Sequence, residues 1–244
     1  MKKILSGIIT VLVVLSMSCK TAEVVPEVVK EDDLMPAPDK LCALTFDDGP
    51  DSTKTPRVLD KLAAHGVVAT FFVVGQNMNE STKPVMERMV AAGHEFGNHS
   101  WSYSGMEKMT AEEVAASIAK TKDQIVKYTG KEPAFFRPPN LATSDVMFAT
   151  IGLPFASGVL GFDWSGTGTT VQKLVDNVKS GMKDGAIILL HDVQPDPHPT
   201  PDALDILIPA LKKQGYEFVT LSELFARKNV TPDPYAKRMW TYVE

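Results

Sequence analysis

Leu41-Cys42-Ala43-Leu44-Thr45-Phe46-Asp47-Asp48-Gly49-Pro50 is the stretch from which the rest of the chain is best read. Its first six residues are apolar apart from Thr45, the pattern of a strand buried on both faces. Two carboxylates end that strand, and Gly49-Pro50 then turns the chain. Two further runs repeat the pattern: Val67-Val68-Ala69-Thr70-Phe71-Phe72-Val73 and Ala186-Ile187-Ile188-Leu189-Leu190. Glu95–Asn98, Ala134–Phe136, Phe155–Leu160 and Glu217–Thr220 complete the predicted strands. Strands buried on both faces belong to parallel sheets covered by helices, so helices are expected between them.

The intervening segments meet that expectation. Thr55–Ala64 carries apolar residues at helical spacing. Thr110-Ala111-Glu112-Glu113 has the form of a capping box opening a helix over Glu112–Tyr128. Gln172–Met182 and Asp202–Gln214 read as further helices. Gly66, Gly93, Gly130 and Gly215 each follow a predicted helix, where a left-handed C-terminal turn favours glycine. Strand and helix alternate about seven times, which points to a parallel β/α barrel or a doubly wound sheet. Both folds gather reactive side chains at the carboxyl ends of their strands. Asp47, Asp48, His99, Arg137, Asp163 and His191 all fall at such ends.

These residue types support hydrolytic chemistry. Of two adjacent carboxylates, one can bind a cation while the other takes a proton from water; the plainer reading of Asp47-Asp48 before Gly-Pro is a turn. Carboxylate oxygen with imidazole nitrogen suits zinc or a similar divalent ion, and His99 is the candidate imidazole. Such an ion lowers the pKa of a bound water to about 7. His94, nearer the start of its strand, reads as structural, as does His65 at a helix end. His191 can act as a general acid toward a leaving group. Arg137, held by Pro138 and Pro139, can pair with a carboxylate and keep it ionised. Asp163, next to Trp164, can orient an imidazole.

The bulk composition bounds the possibilities. The chain has 244 residues, 44% of them hydrophobic, enough for one sizeable core. A formal charge of -5 with both signs mixed gives no clustered basic face, so no nucleic-acid partner is expected. Lys2 and Lys3 precede an apolar run, Ile4–Leu15, shorter than the roughly 20 residues a spanning helix needs. Leu15-Ser16-Met17-Ser18-Cys19 resembles a bacterial lipobox, although leucine stands one position further from the cysteine than usual. Residues 1–19 therefore read as a lipoprotein-type signal with Cys19 lipidated, giving a membrane-anchored envelope protein; an ordinary signal peptide or an uncleaved anchor are the alternatives. Residues 20–40 read as an acidic, proline-containing linker, 41–228 as the single folded domain and 229–244 as a C-terminal tail. Cys42 then lacks an intramolecular partner and reads as a core thiol.

Thr45-Phe46-Asp47-Asp48-Gly49-Pro50, Ala69-Thr70-Phe71-Phe72, Gly93-His94-Glu95-Phe96-Gly97-Asn98-His99-Ser100-Trp101, Arg137-Pro138-Pro139, Asp163-Trp164 and Leu189-Leu190-His191-Asp192 occur in that order. In this the chain resembles the polysaccharide deacetylases of carbohydrate esterase family 4, the NodB-type domain, over roughly residues 41–227. The resemblance implies an α/β fold, a distorted (β/α) barrel of about seven strands. It also implies removal of acetyl groups from a glycan, N-acetylglucosamine units of peptidoglycan or chitin-type oligosaccharide first, acetylated xylan second. By position, Asp47 would be the base, His191 the acid, Arg137 the holder of Asp47 and Asp163 the residue that tunes His191. Asp48 and His99 would bind one divalent metal: zinc, with cobalt or nickel as alternatives. Pro139, Asn140, Trp164 and Leu189 would meet the substrate, with a backbone amide near Asn140 assisting at the oxyanion.

Three positions depart from the family pattern. Tyr103 stands where a second ligand histidine, four positions after His99, is expected. A neutral phenol is a poor zinc ligand, so Tyr103 would be the weakest member of the ligand set. His198, in a proline-rich loop, is the candidate replacement. Asn140 stands where an aromatic residue is more usual, and Leu160 where a second aspartate often precedes Asp163. Tyr103 also leaves open a glycan-binding protein with an impaired metal site, or a hydrolase using no zinc or an oxygen-liganded ion.

Overall fold

The strand predicted at 41–46 is β1 (Lys40–Asp47), and the sheet is built around it. The computed structural model describes residues 38–103 and 105–244. The signal segment, Cys19 and most of the linker lie outside them.

β1 lies parallel to β6 (Ala186–His191), from Cys42 beside Ala186 to Asp47 beside His191. On its other edge, β2 (Thr70–Val73) pairs with the C-terminal half of β1, and β7 (Tyr216–Val219) with the N-terminal half. β3 (Glu95–Asn98) adds to β2, and β5 (Val159–Leu160) to β6, all in parallel. Leu44, Phe46, Ile188 and Leu190 are fully buried, as the apolar runs required. Each such side chain contributes roughly 1.5–3 kcal/mol by leaving water.

The predicted helices form with small shifts at their ends: α1 (Thr55–His65), α3 (Ala111–Thr129), α5 (Val171–Ser180) and α6 (Thr200–Lys213). α2 (Lys83–Ala91), α4 (Asp145–Thr150) and α7 (Leu221–Arg227) are the other longer helices among the described residues. The capping box is present: Glu113 N–H donates to Thr110 Oγ1 at 3.3 Å, and Thr110 N–H to Glu113 Oε2 at 2.8 Å. Gly66 closes α1 at φ 59°.

Three expectations are corrected. Residues 67–69 are not strand: Val67 N–H still bonds the Leu62 carbonyl, finishing α1. The run 155–160 is split into β4 (Phe155–Ala156) and β5, and Phe136 makes only single bridges, to Asn98 and Phe155. Residues 229–244 are no free tail. β8 (Met239–Trp240) pairs with β4, Tyr242 bridges Ala186, and Val243 is fully buried. Apolar Trp240 and Val243 drive this docking, Trp240 packing edge-on to Phe225 with ring centres 5.1 Å apart. The pairings thus run β6–β1–β2–β3, through Phe136 to β4 and β8, and back to β6 at Tyr242. The circuit is closed but irregular, and the C-terminal segment closes it.

Candidate active site

Asp47 ends β1 beside His191, which ends β6, so the parallel register brings base-type and acid-type side chains to one rim. Asp48 follows at φ 82°, a left-handed conformation that aspartate tolerates better than most residues. It is held by its surroundings. Asn77 Nδ2 donates to the Asp48 carbonyl at 2.8 Å, and Gln194 Nε2 to Asp48 Oδ2 at 3.3 Å. Behind it, Asp192 accepts from Gly49 N–H at 3.1 Å and from the Thr55 hydroxyl, while its own N–H bonds the Asp47 carbonyl. Burial pushes the Asp192 carboxyl up to about 7 against the pull of Thr55.

Arg137 is fully buried, and each of its three side-chain nitrogens donates a hydrogen bond. Nη1 donates to Asp47 Oδ1 at 2.6 Å, Nη2 to the Ser157 carbonyl at 2.7 Å and Nε to the Ala156 carbonyl at 3.4 Å. Its guanidinium also lies 4.1 Å over the Phe72 ring. Breaking a buried pair strands the remaining charge. Arg137→Met will therefore destabilise the fold by about 3–5 kcal/mol, read as a lower thermal midpoint in calorimetry. An unchanged midpoint would mean that the Arg137–Asp47 pair does not stabilise the fold.

His191 Nδ1 lies 2.8 Å from Asp163 Oδ1, and His191 N–H donates to Oδ2 of the same carboxylate at 2.7 Å. Thr200 Oγ1 adds a third bond to Asp163 at 2.6 Å. Nδ1 is thus the donor, leaving Nε2 facing the cavity. Burial alone would lower the His191 pKa, but the Asp163 bond and charge, with Asp47 and Asp48 nearby, raise it to about 9. The imidazolium therefore stabilises the fold fully below its ordinary value of 6.5, and that contribution fades as pH rises through about 9. In cation-free protein, NMR titration of His191 will show a midpoint near 9, and Asp163→Asn will move it down toward 6.5. A midpoint unmoved by Asp163→Asn would remove Asp163 as the cause.

His99 Nδ1 donates to the Arg137 carbonyl at 2.7 Å, so in the neutral ring Nε2 carries the lone pair. That nitrogen faces Asp48 Oδ1 at 3.4 Å and Asp47 Oδ2 at 3.9 Å. Acceptors converging in this way require a cation among them, either a proton on His99 or a metal ion. Both groups are tuned accordingly. Burial would lower the His99 pKa, yet the charges of Asp47 and Asp48 raise it overall. Burial would raise that of Asp48, yet His99 and His191 hold it low.

Asp48 and His99 therefore fit a divalent cation as two strong donors. Tyr103 does not complete a set of three. Its hydroxyl bonds the Asp48 backbone carbonyl at 3.3 Å, and burial with the nearby carboxylates pushes its pKa well above the normal phenol range. Among the described residues no group of three or more His, Cys, Asp and Glu side chains could hold a metal ion. An open site with positions left for water suits this donor set better than a closed tetrahedral one.

His198 is not the replacement ligand. It is buried, its Nε2 spent on the His191 carbonyl at 3.1 Å, while Nδ1 finds no partner. His94 is structural: Nδ1 accepts from Ala69 N–H at 3.1 Å, and burial lowers its pKa to about 4. Cys42 is a buried thiol.

A cavity of about 330 Å³ opens over these groups, lined by Asp47, Asp48, His99, Tyr103, His191, Trp164, Leu189, Asn140, Pro138, Leu141 and Gln194. Pro139 is buried and is not among the lining residues, where Pro138 and Leu141 stand instead; Asn140 and Leu141 turn the segment in left-handed backbone (φ 55° and 56°). Gln194, Asn77, Asp192 and Thr200 were not anticipated. Only Asp192 carried a sequence signal, standing directly after His191.

Residues 35–152 match the Polysaccharide deacetylase family model. A family 4 acetyl xylan esterase from Clostridium thermocellum, solved with a cobalt ion, is 57% identical; the likeness covers 84% of this chain and 99% of that one, with a TM-score of 0.82. A bifunctional xylanase/deacetylase of Pseudobutyrivibrio xylanivorans is 44% identical over 205 residues, 84% of this chain and 33% of that protein. A peptidoglycan-N-acetylglucosamine deacetylase of Bacillus cereus is 37% identical over 201 residues, 80% of this chain and 92% of that protein. The chain thus spans less than half the length of some curated relatives and nearly all of others. It belongs to the polysaccharide deacetylase family, carbohydrate esterase family 4.

Proposed function

We propose that this chain removes acetyl groups from a glycan with the help of one divalent cation held by Asp48 and His99. The observation that carries the reading is the pairing, across one cavity, of a carboxylate fixed by Arg137 and an imidazole fixed by Asp163. A divalent cation, when bound, polarises an acyl carbonyl and acidifies water. Asp47, held by Arg137, accepts the proton of the attacking water. His191, kept protonated by Asp163, donates from Nε2 to the departing oxygen or nitrogen. Leu189 and Trp164 give the acetyl methyl an apolar wall, and the turn at Asn140 brings backbone close to the carbonyl. Zinc, cobalt and nickel are all compatible with one carboxylate and one imidazole; the cobalt ion held by the Clostridium esterase supports a divalent ion here.

For the substrate, O-acetyl groups on xylan stand first, supported by the higher identity to the two xylan-related relatives. N-acetylglucosamine units of peptidoglycan or chitin-type oligomers are the second reading, supported by the Bacillus relative. Acetate release from O-acetylated xylo-oligosaccharides, N-acetylglucosamine oligomers and isolated peptidoglycan separates them: faster release from the xylan fragments supports the first, and turnover of the N-acetyl substrates alone overturns it. The lipobox-like segment before Cys19 supports a lipid-anchored envelope protein. Labelled palmitate entering the wild-type chain but not Cys19→Ala is the expected sign, and equal labelling the contrary one.

A further inference from the structure

The backbone at Phe162 adopts φ 56°, a conformation that L residues with large side chains rarely take, yet the residue is 43% exposed. A phenyl ring so placed adds little to the core, so its orientation calls for another use. The segment is fixed on both sides. Thr169 Oγ1 donates to the Phe162 carbonyl at 2.7 Å, as does Ser165 N–H at 3.2 Å, and Asn177 Nδ2 bonds the Gly161 carbonyl at 3.1 Å. A Cβ on Gly161 would come within 2.3 Å of Leu190 Cδ2, so the chain just before Phe162 is pressed onto the sheet.

This fixation sorts three consecutive side chains. Asp163 is buried and turned to His191. Phe162 and Trp164, on either side of it, face water, Trp164 with 42% of its surface exposed. Their ring centres are 5.3 Å apart at 48°, and Trp164 lies edge-on to His191 at 5.2 Å. Aromatic surface therefore runs without a break from the acid-type imidazole, along the cavity wall, to Phe162 on the rim. The cavity, about 330 Å³, is at the small end of ligand sites, so most of a polymeric substrate must lie across its edge. Pyranose rings with equatorial hydroxyls expose C–H faces that pack on aromatic faces while their edges stay in water.

We propose that Phe162 is a stacking platform for a sugar ring next to the one being deacetylated, a specificity-determining contact for β-1,4-linked pyranose chains. The proposal rests on the glycan reading above, and its test uses binding so that the two can fail separately. Acetate-free tetrasaccharides of β-1,4-linked xylose and glucosamine are titrated into the full chain by calorimetry, with Trp fluorescence as a second signal. Phe162→Ala is expected to raise the Kd for the preferred tetrasaccharide about fivefold, and Phe162→Tyr to restore it. KM for the acetylated tetrasaccharide should rise in step, with kcat within about twofold.

An unchanged Kd in Phe162→Ala overturns the platform. So does a fall in kcat at unchanged Kd, which would mean that the loop serves only to position Asp163. Failure of the unmutated protein to bind either tetrasaccharide also overturns it. Binding that depends on Phe162 without any acetate release would uphold the platform and sink the proposed activity.

Discussion

Asp47→Asn will lower the rate of acetate release about a thousandfold, within the range that a lost general base costs. The substitution keeps shape and can keep an oxygen toward Arg137 Nη1, 2.6 Å from the present carboxylate. What it removes is the capacity to take a proton. It also removes the negative charge opposite a buried guanidinium, so the variant will be less stable, and the assay belongs well below its thermal midpoint. Steady-state kinetics on acetylated xylo-oligosaccharide, with calorimetry on the same sample, separate the two effects. Activity within about tenfold of wild type in folded protein would place the base elsewhere.

The second large effect concerns the cation. Asp48→Ala and His99→Ala will each weaken binding of one divalent ion by at least about a hundredfold, since each removes a principal donor. His191→Gln will leave ion affinity little changed, because its Nε2 stands 4.0 Å from Asp48 Oδ2 and Nδ1 is committed to Asp163. Tyr103→His adds an imidazole facing His99, whose ring centre lies 6.5 Å from that of Tyr103. It should tighten the ion. Titration calorimetry of cation-stripped protein reads all four variants. Equal affinity in wild type and Asp48→Ala would move the ion site away from this cavity. Ion binding too weak to measure in wild type would favour a glycan-binding protein without turnover.

Much of this arrangement was legible before the structure because apolar strands and reactive residues mark the same positions. The runs ending at Asp47 and His191 could be read as buried strands, and parallel pairing then brings their ends together. Arg137 was harder to place from its own segment, where the chain makes only single bridges. The contacts that hold the site came from distant sequence: Thr200 reaches Asp163 from the start of α6, and Asn77 reaches the Asp48 carbonyl from the turn after β2. No periodicity announces such bonds. The docked C-terminus was misread for a related reason. Lys237, Arg238, Met239, Trp240 and Tyr242 do not form a long apolar run, and only two residues pair as strand, so burial of Val243 depends on a groove that other segments make. Phe162 left no trace as a functional residue, since an aromatic beside Asp163-Trp164 reads equally well as core.

The central claim is that a divalent cation and the Asp47–His191 pair act together on an acetylated glycan. It is tested most directly by stripping the protein with chelator and reloading it with zinc, cobalt or nickel in turn, following acetate from O-acetylated xylo-oligosaccharide. The expected result is no release from stripped protein and full recovery at about one ion per chain. Release that persists undiminished after the ion is gone, or none from fully loaded protein on this substrate, N-acetylglucosamine oligomers and peptidoglycan alike, would contradict it.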